Sequence, residues 1–346
     1  MTSPHHRSRT FPKTGWLLLA GCLLLSACAA PVMERELIRD RHFERGFILI
    51  SSNPGKLRPY ATLVGSEEGS KPVWELAQWG SKYPLPVAPP QRLPGGALQY
   101  SNYAKAVTIG LPNSEAADVA LTVLASVEYG GHARQSGEPW PHLLLQQRIE
   151  QPPTLAELHD ARLRVGVRLL KIRKFEMDDY APGLHAAQFQ IFFKVWNSNR
   201  QSRGYGQYLW FGVPLYDDRH RVTQTYAAQD AGKVDATTMF IYTPASDVFS
   251  TGSTHDQEWI TIDRDILPLM REGLNTAWQH GFLKDSQSLA DYRISGINLG
   301  WEVPGIFDVG MQLRNLSLRA TEGETRVPTP SASEKEAGSK TIQQTE

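Results

Sequence analysis

Apolar and polar residues alternate with a period of two in several stretches, and this alternation constrains the fold more than any other feature of the sequence. The clearest runs are 163–169, 187–196 and 307–314. Successive side chains of a β-strand point to opposite faces of its sheet, so a period of two predicts a strand with one buried face. In the second run the residues expected inside are Ala187, Phe189, Ile191, Phe193 and Val195.

Shorter apolar runs separated by turn residues predict further strands at 47–50, 62–64, 106–111, 119–129, 143–149, 208–213, 238–242 and 259–262. One main helix is predicted at about 263–279 from apolar residues spaced near 3.6, with Asp263 as N-cap and His280-Gly281 as its end. A short helix at 154–160 is a further candidate. Strands dominate and no βαβ alternation occurs, so the fold class predicted is mainly β, an antiparallel β-sandwich or jelly roll with one main helix.

Composition divides the chain into four segments. Residues 1–27 are predicted to be a signal peptide, and residues 28–96 an N-terminal segment that ends in a Pro-rich linker. Whether that segment joins the sandwich stays open. Residues 97–321 are predicted to form the β-sandwich domain, and the polar residues 322–346 a disordered tail.

The amino terminus predicts a cell-envelope location. Three basic residues precede an apolar stretch of about twelve residues, which is typical of a secretory signal and too short to span a bilayer. Leu25-Ser26-Ala27-Cys28 resembles the lipobox of bacterial lipoproteins. The resemblance implies cleavage before Cys28, acylation of its sulfur (palmitate) and, because Ala29 follows, a lipid anchor in the outer membrane, facing the periplasm or the surface. Cys22 also fits the pattern, and a plain signal peptide is the remaining alternative.

Several function classes are disfavoured. The 36 Lys and Arg balance 36 Asp and Glu, whereas a general nucleic-acid binder needs a basic surplus, so no nucleic acid is expected as a partner. Two cysteines make no disulfide framework. No GxSxG, P-loop, GxGxxG or HExxH motif occurs, and no cofactor is expected. The polar run 217–221 favours a hairpin turn, with calcium binding by Asp217, Asp218 and Asp230 as the alternative.

The polar face of the 188–196 run is the main candidate site. Amides beside large aromatic rings suit a sugar, because a ring covers the apolar C–H face while amides bond the hydroxyls. If the strand that carries Arg164 and Arg168 is its neighbour, guanidinium groups join the surface and favour an anionic glycan. A face covered by other elements and freely exposed arginines remain the alternatives. The candidate ligand-binding residues are Arg164, Arg168, Gln188, Gln190, Lys194, Trp196 and Trp210.

Two stretches resemble carbohydrate-active jelly-roll domains. Residues 298–303 followed by 307–318 resemble the final strands of such bacterial domains. Residues 188–197 are similar to the cleft strand Tyr-Phe-Lys-x-Gly-x-Tyr-Asn-Gln of jelly-roll polysaccharide lyases, through Phe193, Lys194 and Asn197. The lyases' Gln-x-His triplet has no counterpart. The resemblance implies a glycan or polysaccharide ligand.

Three functions therefore stay open: an outer-membrane lipoprotein that recognises carbohydrate, a polysaccharide lyase or hydrolase on the same face, and a structural lipoprotein that binds another envelope protein. β-Elimination needs a cation or amide beside the carboxylate and a His or Tyr to move the proton. The catalytic candidates are His185, Tyr208, Arg168 and Glu302, although the parity of the strand points His185 inward. Glu302 has no assigned second carboxylate, and a structural role is its alternative.

Overall fold

The computed structural model describes residues 33–51, 58–67, 69–110, 117–231 and 236–323. The chain divides into a short unit, residues 1–31, and a large unit, residues 32–346. The predicted signal peptide, Cys28 and residues 324–346 of the predicted tail lie outside the described residues. Within the described part of the chain, the helices are all too short or too polar to cross a bilayer.

Seventeen strands and two α-helices form in the described residues. The first eight strands are β1 (Met33–Glu36), β2 (Gly46–Ile50), β3 (Pro59–Val64), β4 (Trp74–Ala77), β5 (Gln91–Arg92), β6 (Leu98–Ser101), β7 (Lys105–Ile109) and β8 (Val119–Leu124). After helix α1 (Ala125–Glu128) follow β9 (His142–Arg148), β10 (Leu158–Lys174), β11 (Gln188–Asn197), β12 (Tyr208–Asp217), β13 (Tyr226–Gln229), β14 (Phe240–Thr243) and β15 (Ile260–Asp265). Helix α2 (Leu267–Gln279) precedes β16 (Tyr292–Glu302) and β17 (Phe307–Glu322).

The strands form two sheets. Sheet A has the order β15-β10-β17-β8-β7-β6-β5, and β1 pairs with the end of β17. Sheet B has the order β13-β14-β12-β11-β16-β9-β4-β2-β3. Nearly all neighbours are antiparallel; β2 with β4 and β12 with β14 are parallel. Strands β1 to β4 lie in these two sheets, so the described part of the N-terminal segment is built into the sandwich, and β5 of the Pro-rich stretch pairs with β6.

The core lies between the sheets, where alternation predicted it. The five apolar residues at 187, 189, 191, 193 and 195 have no exposed surface. Trp301 of β16 crosses the core: its Nε1 donates to the carbonyl of Leu121 in sheet A at 3.0 Å, and its ring meets Phe189 edge-on at 5.0 Å. Each fully buried side chain of this kind contributes about 1.5–3 kcal/mol. The predicted mainly-β sandwich with one main helix is confirmed.

Helix α2 begins four residues later than predicted. Residues 260–265 pair with β10 as β15, so Asp263 lies in a strand and caps no helix. Ile266 is the N-cap and makes no side-chain cap bond, while Oδ1 of the preceding Asp265 accepts from the backbone N–H of Leu267 at 3.1 Å. The helix ends as predicted, with His280 as C-cap and Gly281 at φ 82°.

Two other local predictions were wrong. No helix forms at 154–160: Thr154 and Glu157 exchange hydrogen bonds as in a capping box, but β10 begins at Leu158 and draws the chain into sheet A. The strand predicted at 119–129 ends at Leu124, and α1 begins at the next residue, Ala125.

Candidate functional site

A groove of about 1210 Å³ lies on the outer face of sheet B. Its floor comes from β9, β11, β12 and β16, because every second side chain of these strands points away from the core. The outward residues of β11 are all half-buried, which shows that the walls rise beside them without covering them. These residues are Gln188, Gln190, Phe192, Lys194 and Trp196.

One row across the floor contains a hollow between two cations. Register places Lys194 of β11 between Trp210 of β12 and Gly296 of β16, and Arg148 of β9 beyond the glycine. Strands lie about 4.8 Å apart, so Lys194 and Arg148 flank a position that has no side chain. A β-bulge at Ser295 adjusts the register here, and its Oγ donates to the carbonyl of Lys194 at 3.1 Å. Bulges commonly re-aim side chains beside functional sites.

The next row is rich in amides. Asn298 of β16 lies between Phe192 and Gln146 of β9, and Gln146 pairs with Glu75 of β4. The Nε2 of Gln146 donates to Oε2 of Glu75 at 2.7 Å, which fixes the orientation of that amide. Gly300 of the same strand is buried between β9 and β11. An added Cβ at Gly300, where φ is 147°, would lie 2.1 Å from the carbonyl oxygen of Leu143, so only glycine fits.

Lys194 lies among aromatic rings. Its Nζ is 4.1 Å from the ring centre of Tyr208 and 5.9 Å from that of Trp196. No carboxylate of the described residues lies within 4 Å of this ammonium group, and burial lowers the pKa of Lys194. Tyr208 also meets Trp210 edge-on at 5.2 Å, so the rings brace each other around the cation. The ammonium therefore faces the groove with cation–π contacts as its neighbours.

An ion pair between Asp217 and Arg219 lies at the rim of the groove, next to the start of β11. Asp217 accepts from Nε and Nη2 of Arg219 at 2.9 and 2.7 Å, and from Nε2 of Gln188 at 2.7 Å. Burial by itself raises the pKa of Asp217, but the hydrogen bonds and charge of Arg219 outweigh it and hold the pKa below its ordinary value. The amide of Gln188 is thereby held in place at the edge of the groove.

The calcium alternative gains no support from this geometry. Asp218 accepts from the backbone N–H of Ala187 at 2.7 Å, and Asp230 accepts from the N–H and hydroxyl of Thr237, both at 2.7 Å. The carboxylates at 217, 218 and 230 thus each hold protein donors. Among the described residues, no group of three or more His, Cys, Asp or Glu is placed to hold a metal ion.

Glu302 lines the groove beside Gln188, and its carboxylate is held by two neighbours. Its Oε2 accepts from Nε1 of Trp140 at 3.3 Å and lies 3.3 Å from Nε2 of His142. The ring of His142 stacks on Trp140 and directs Nδ1 at two backbone carbonyls. These contacts favour the structural interpretation of Glu302, as a group that ties the 140–142 segment to β16.

His185 lies away from the groove. It is 2% exposed, its Nδ1 accepts from the N–H of Ala181 at 2.9 Å, and its Nε2 donates to the carbonyl of Arg134 at 2.8 Å. Both ring nitrogens thus bond backbone, which contradicts its candidacy as a catalytic proton carrier on this face.

Arg164 and Arg168 lie on the other sheet. Their strand, β10, has β15 and β17 as neighbours in sheet A, so the condition for placing them beside β11 is not met. Arg168 donates from Nε and Nη2 to Oε1 of Gln312, at 2.9 and 2.6 Å. Arginines 164 and 168 therefore cannot line the groove of sheet B.

Sequence reasoning missed the residues that β9 contributes. Leu144, Gln146 and Arg148 alternate with Leu143 and Leu145, and the first three face the groove. The run 142–148 has three consecutive leucines and two consecutive glutamines, so its sequence does not separate the two faces. It was predicted only as a strand, and nothing local indicates that β9 lies next to β16.

Comparisons with known proteins give distant likenesses only. No known family model and no curated protein sequence matches this chain. Among solved structures, the chain is similar to the native family 12 xyloglucanase from Bacillus licheniformis, with 11% identity, a TM-score of 0.38, and 71% of this chain and 99% of that chain covered. It is also similar to endoglucanase Cel12A from Rhodothermus marinus (10%, TM-score 0.36, 72% and 99%) and to the family 11 xylanase from Neocallimastix patriciarum (6%, TM-score 0.34, 67% and 94%). With TM-scores this low, these likenesses add nothing to the fold that the strand order establishes.

Proposed function

We propose that the outer face of sheet B binds a carbohydrate chain, in a protein held in the outer membrane by a lipid on Cys28. The observation that carries the proposal is the floor of the groove, where half-buried amides and aromatic rings lie around Gly296 and border about 1210 Å³ of space. That volume exceeds the usual 300–1,000 Å³ of a small-ligand pocket, as a chain of several sugar units requires.

The floor supplies the two kinds of contact that sugars need. The rings of Trp196 and Trp210 offer apolar surface for the C–H face of a sugar, and the amides of Gln190 and Asn298 offer donors and acceptors for its hydroxyls. Because Glu75 and Asp217 hold the amides of Gln146 and Gln188, part of the polar surface is preorganised before a ligand arrives.

An acidic sugar fits the hollow over Gly296. A carboxylate there would have Lys194 on one side and Arg148 on the other, with no side chain beneath it. This keeps the predicted preference for an anionic glycan while replacing the residues expected to cause it, since Arg164 and Arg168 belong to sheet A.

Binding without cleavage fits the groove better than lyase chemistry. Burial raises the pKa of Tyr208, which disfavours the phenolate that would abstract a proton. His185 faces away, and Glu302 is engaged by Trp140 and His142. Release of unsaturated or reducing sugar ends from a bound polysaccharide would overturn this choice.

The binding proposal is tested with Trp196→Ala and a matched control. We expect Trp196→Ala to weaken binding to neutral and acidic polysaccharides on a glycan array by roughly 1–3 kcal/mol, with little loss of melting temperature. The control, compared on the neutral polysaccharides, is Trp259→Ala, since Trp259 is a half-buried tryptophan outside the groove. Equal losses in both variants, or a wild type that retains no glycan, would count against the groove as a glycan site.

The anchor is tested separately. Cys28→Ser should abolish metabolic labelling with a fatty acid and release the protein from the membrane fraction, because a hydroxyl cannot replace the thiol in lipobox acylation. Undiminished labelling of Cys28→Ser would transfer the anchor to Cys22 or refute it.

A further inference from the structure

The outer face of sheet A carries a concentration of positive charge. Strand β10 directs arginines and a lysine outward along its length, and β17 adds another arginine beside them. Residues 164–173 alone extend about 30 Å at strand spacing. We name this surface the cationic face; its residues are Arg164, Arg168, Lys171, Arg173 and Arg314.

A tryptophan organises the centre of the cationic face. The guanidinium carbon of Arg168 lies 5.0 Å from the ring centre of Trp259, and that of Arg314 lies 4.1 Å from it. Gly166 makes room for this arrangement, because an added Cβ would lie 2.9 Å from Cγ of Arg314. Cation–π contacts therefore hold two guanidinium groups beside one half-buried indole.

The carboxylates next to the cationic face hold other donors. Asp263, opposite Arg164 in the register, pairs with Arg162 at 2.5 Å, and Asp308, opposite Arg173, accepts from Oγ of Ser126 at 2.7 Å. In the described part of the chain no carboxylate lies within 4 Å of the exposed cations of Arg164, Lys171 and Arg173, so the middle of the surface has a net positive charge. Such a surface attracts a partner with closely spaced negative charges.

We propose that the cationic face rests on an anionic lipid surface, with phospholipid headgroups as its partner. The face belongs to one sheet, and its cations are spread along and across strands as a planar array of headgroups requires. The half-buried indole of Trp259 suits the boundary between water and acyl chains. A polybasic surface adds electrostatic attraction to anionic headgroups to whatever a lipid anchor supplies.

The predicted anchor is compatible with this placement. Cys28 precedes β1 by five residues, and β1 pairs with the end of β17 in sheet A. Five residues span at most about 18 Å, so a lipid at Cys28 would keep the edge of sheet A close to the bilayer. With sheet A against lipid, the groove of sheet B on the opposite face would point away from the membrane toward its ligand.

The test measures vesicle binding by a chain that starts at Val32, which retains both sheets and the whole described core. It is sedimented with phosphatidylcholine vesicles with and without phosphatidylglycerol, at low and physiological salt. We expect binding only to the anionic vesicles, weakened by salt, and a loss of at least about tenfold in Arg164→Glu/Arg173→Glu.

The matched control is Arg200→Glu/Lys284→Glu, which changes net charge equally at two exposed cations outside the cationic face. It should bind anionic vesicles within about twofold of the wild type. Equal loss in both double variants, or equal binding to neutral and anionic vesicles, would overturn the proposal. Binding to a soluble acidic polymer through Arg164 and Arg173 without binding to anionic vesicles would also overturn it, since the partner would then be a polymer.

Discussion

The two outer faces of the sandwich differ although the strands that carry them have the same pattern. Strands β11 and β10 both bury every second residue completely between the sheets. On β11 the outward residues are amides, rings and one lysine, all half-buried, whereas on β10 they are mostly exposed cations. The alternation that builds the core thus leaves the outer faces unspecified, and the neighbouring strands decide whether an outer face becomes a groove or an open surface.

The ion pair at the rim of the groove should contribute more stability than its counterpart on sheet A. Asp217 is 6% exposed, and its removal leaves the guanidinium group of Arg219 and the amide of Gln188 without their acceptor. We expect Asp217→Ala to lower the free energy of unfolding by about 2–3 kcal/mol, measured by urea denaturation. Asp217→Asn, which keeps one acceptor oxygen, should lose less. A loss too small to measure in both variants would make the two faces equivalent in this respect.

This ion pair also predicts a dependence on pH. The pKa of Asp217 is lowered in the folded protein, so its contribution is fully present above the ordinary value of 3.8 and is lost as pH falls through the lowered folded value. Below about pH 4 the wild type should therefore lose stability more steeply than Asp217→Asn. Parallel pH profiles would contradict the assignment.

The hollow over Gly296 distinguishes the faces by shape. Gly296→Val fills the space between Lys194 and Arg148, while its Cβ comes 3.3 Å from the carbonyl oxygen of Gln147. We expect about tenfold weaker binding of an acidic oligosaccharide, or about 1.4 kcal/mol, by titration calorimetry. Gly310→Val makes the same change on the outer face of sheet A, where Oγ1 of Thr122 is 3.1 Å away. If both variants weaken binding alike, the hollow is not the ligand's position.

The sequence predicted the core better than the start of the helix. Alternation is local, so the inner residues of β10, β11 and β17 were readable directly. The start of α2 could not be read in this way. Asp263 is a favourable N-cap residue, and only its pairing with Arg164 of β10 keeps it in a strand. Long-range pairing overrode local preference there, as it did at Thr154 and Glu157.

Only part of the candidate site could be predicted from the sequence, for the same reason. The outward residues of β11 could be named because they lie on one strand, and the structure places them in the groove. Arg148 and Gly296 could not be joined to Lys194, since they are 46 or more positions apart along the chain and meet only through the order β11-β16-β9. Because the strand order is not readable from the sequence, Arg168 was expected beside β11, although it lies in sheet A.

We expect Lys194 to lower the stability of the folded protein while it strengthens ligand binding. Burial lowers the pKa of Lys194, so below that value the folded state holds the charged form at a disadvantage that fades as pH rises toward the ordinary value of 10.5. We expect Lys194→Met to raise the free energy of unfolding at neutral pH by roughly 0.5 kcal/mol, after allowing for screening of a half-exposed group. Binding of an acidic glycan should weaken at the same time. Lys171→Met on the cationic face, where the lysine is exposed, should change neither quantity. A destabilised Lys194→Met would mean that its cation–π contacts outweigh the effect of burial.

The smallest effect is expected from the ion pair on sheet A. Arg162 and Asp263 lie at 2.5 Å, closer than Asp217 and Arg219, yet their side chains are 58% and 39% exposed. Water solvates each partner when the other is removed, and ordering two long side chains offsets most of the attraction. Arg162→Ala should therefore leave the urea midpoint unchanged within error, whereas Arg219→Ala should lower it, because Asp217 would remain buried without its cation. Both variants should be compared at low and high salt, since screening removes what little an exposed pair contributes. A midpoint that falls as far in Arg162→Ala as in Arg219→Ala would show that distance, and not burial, sets the strength of these two pairs.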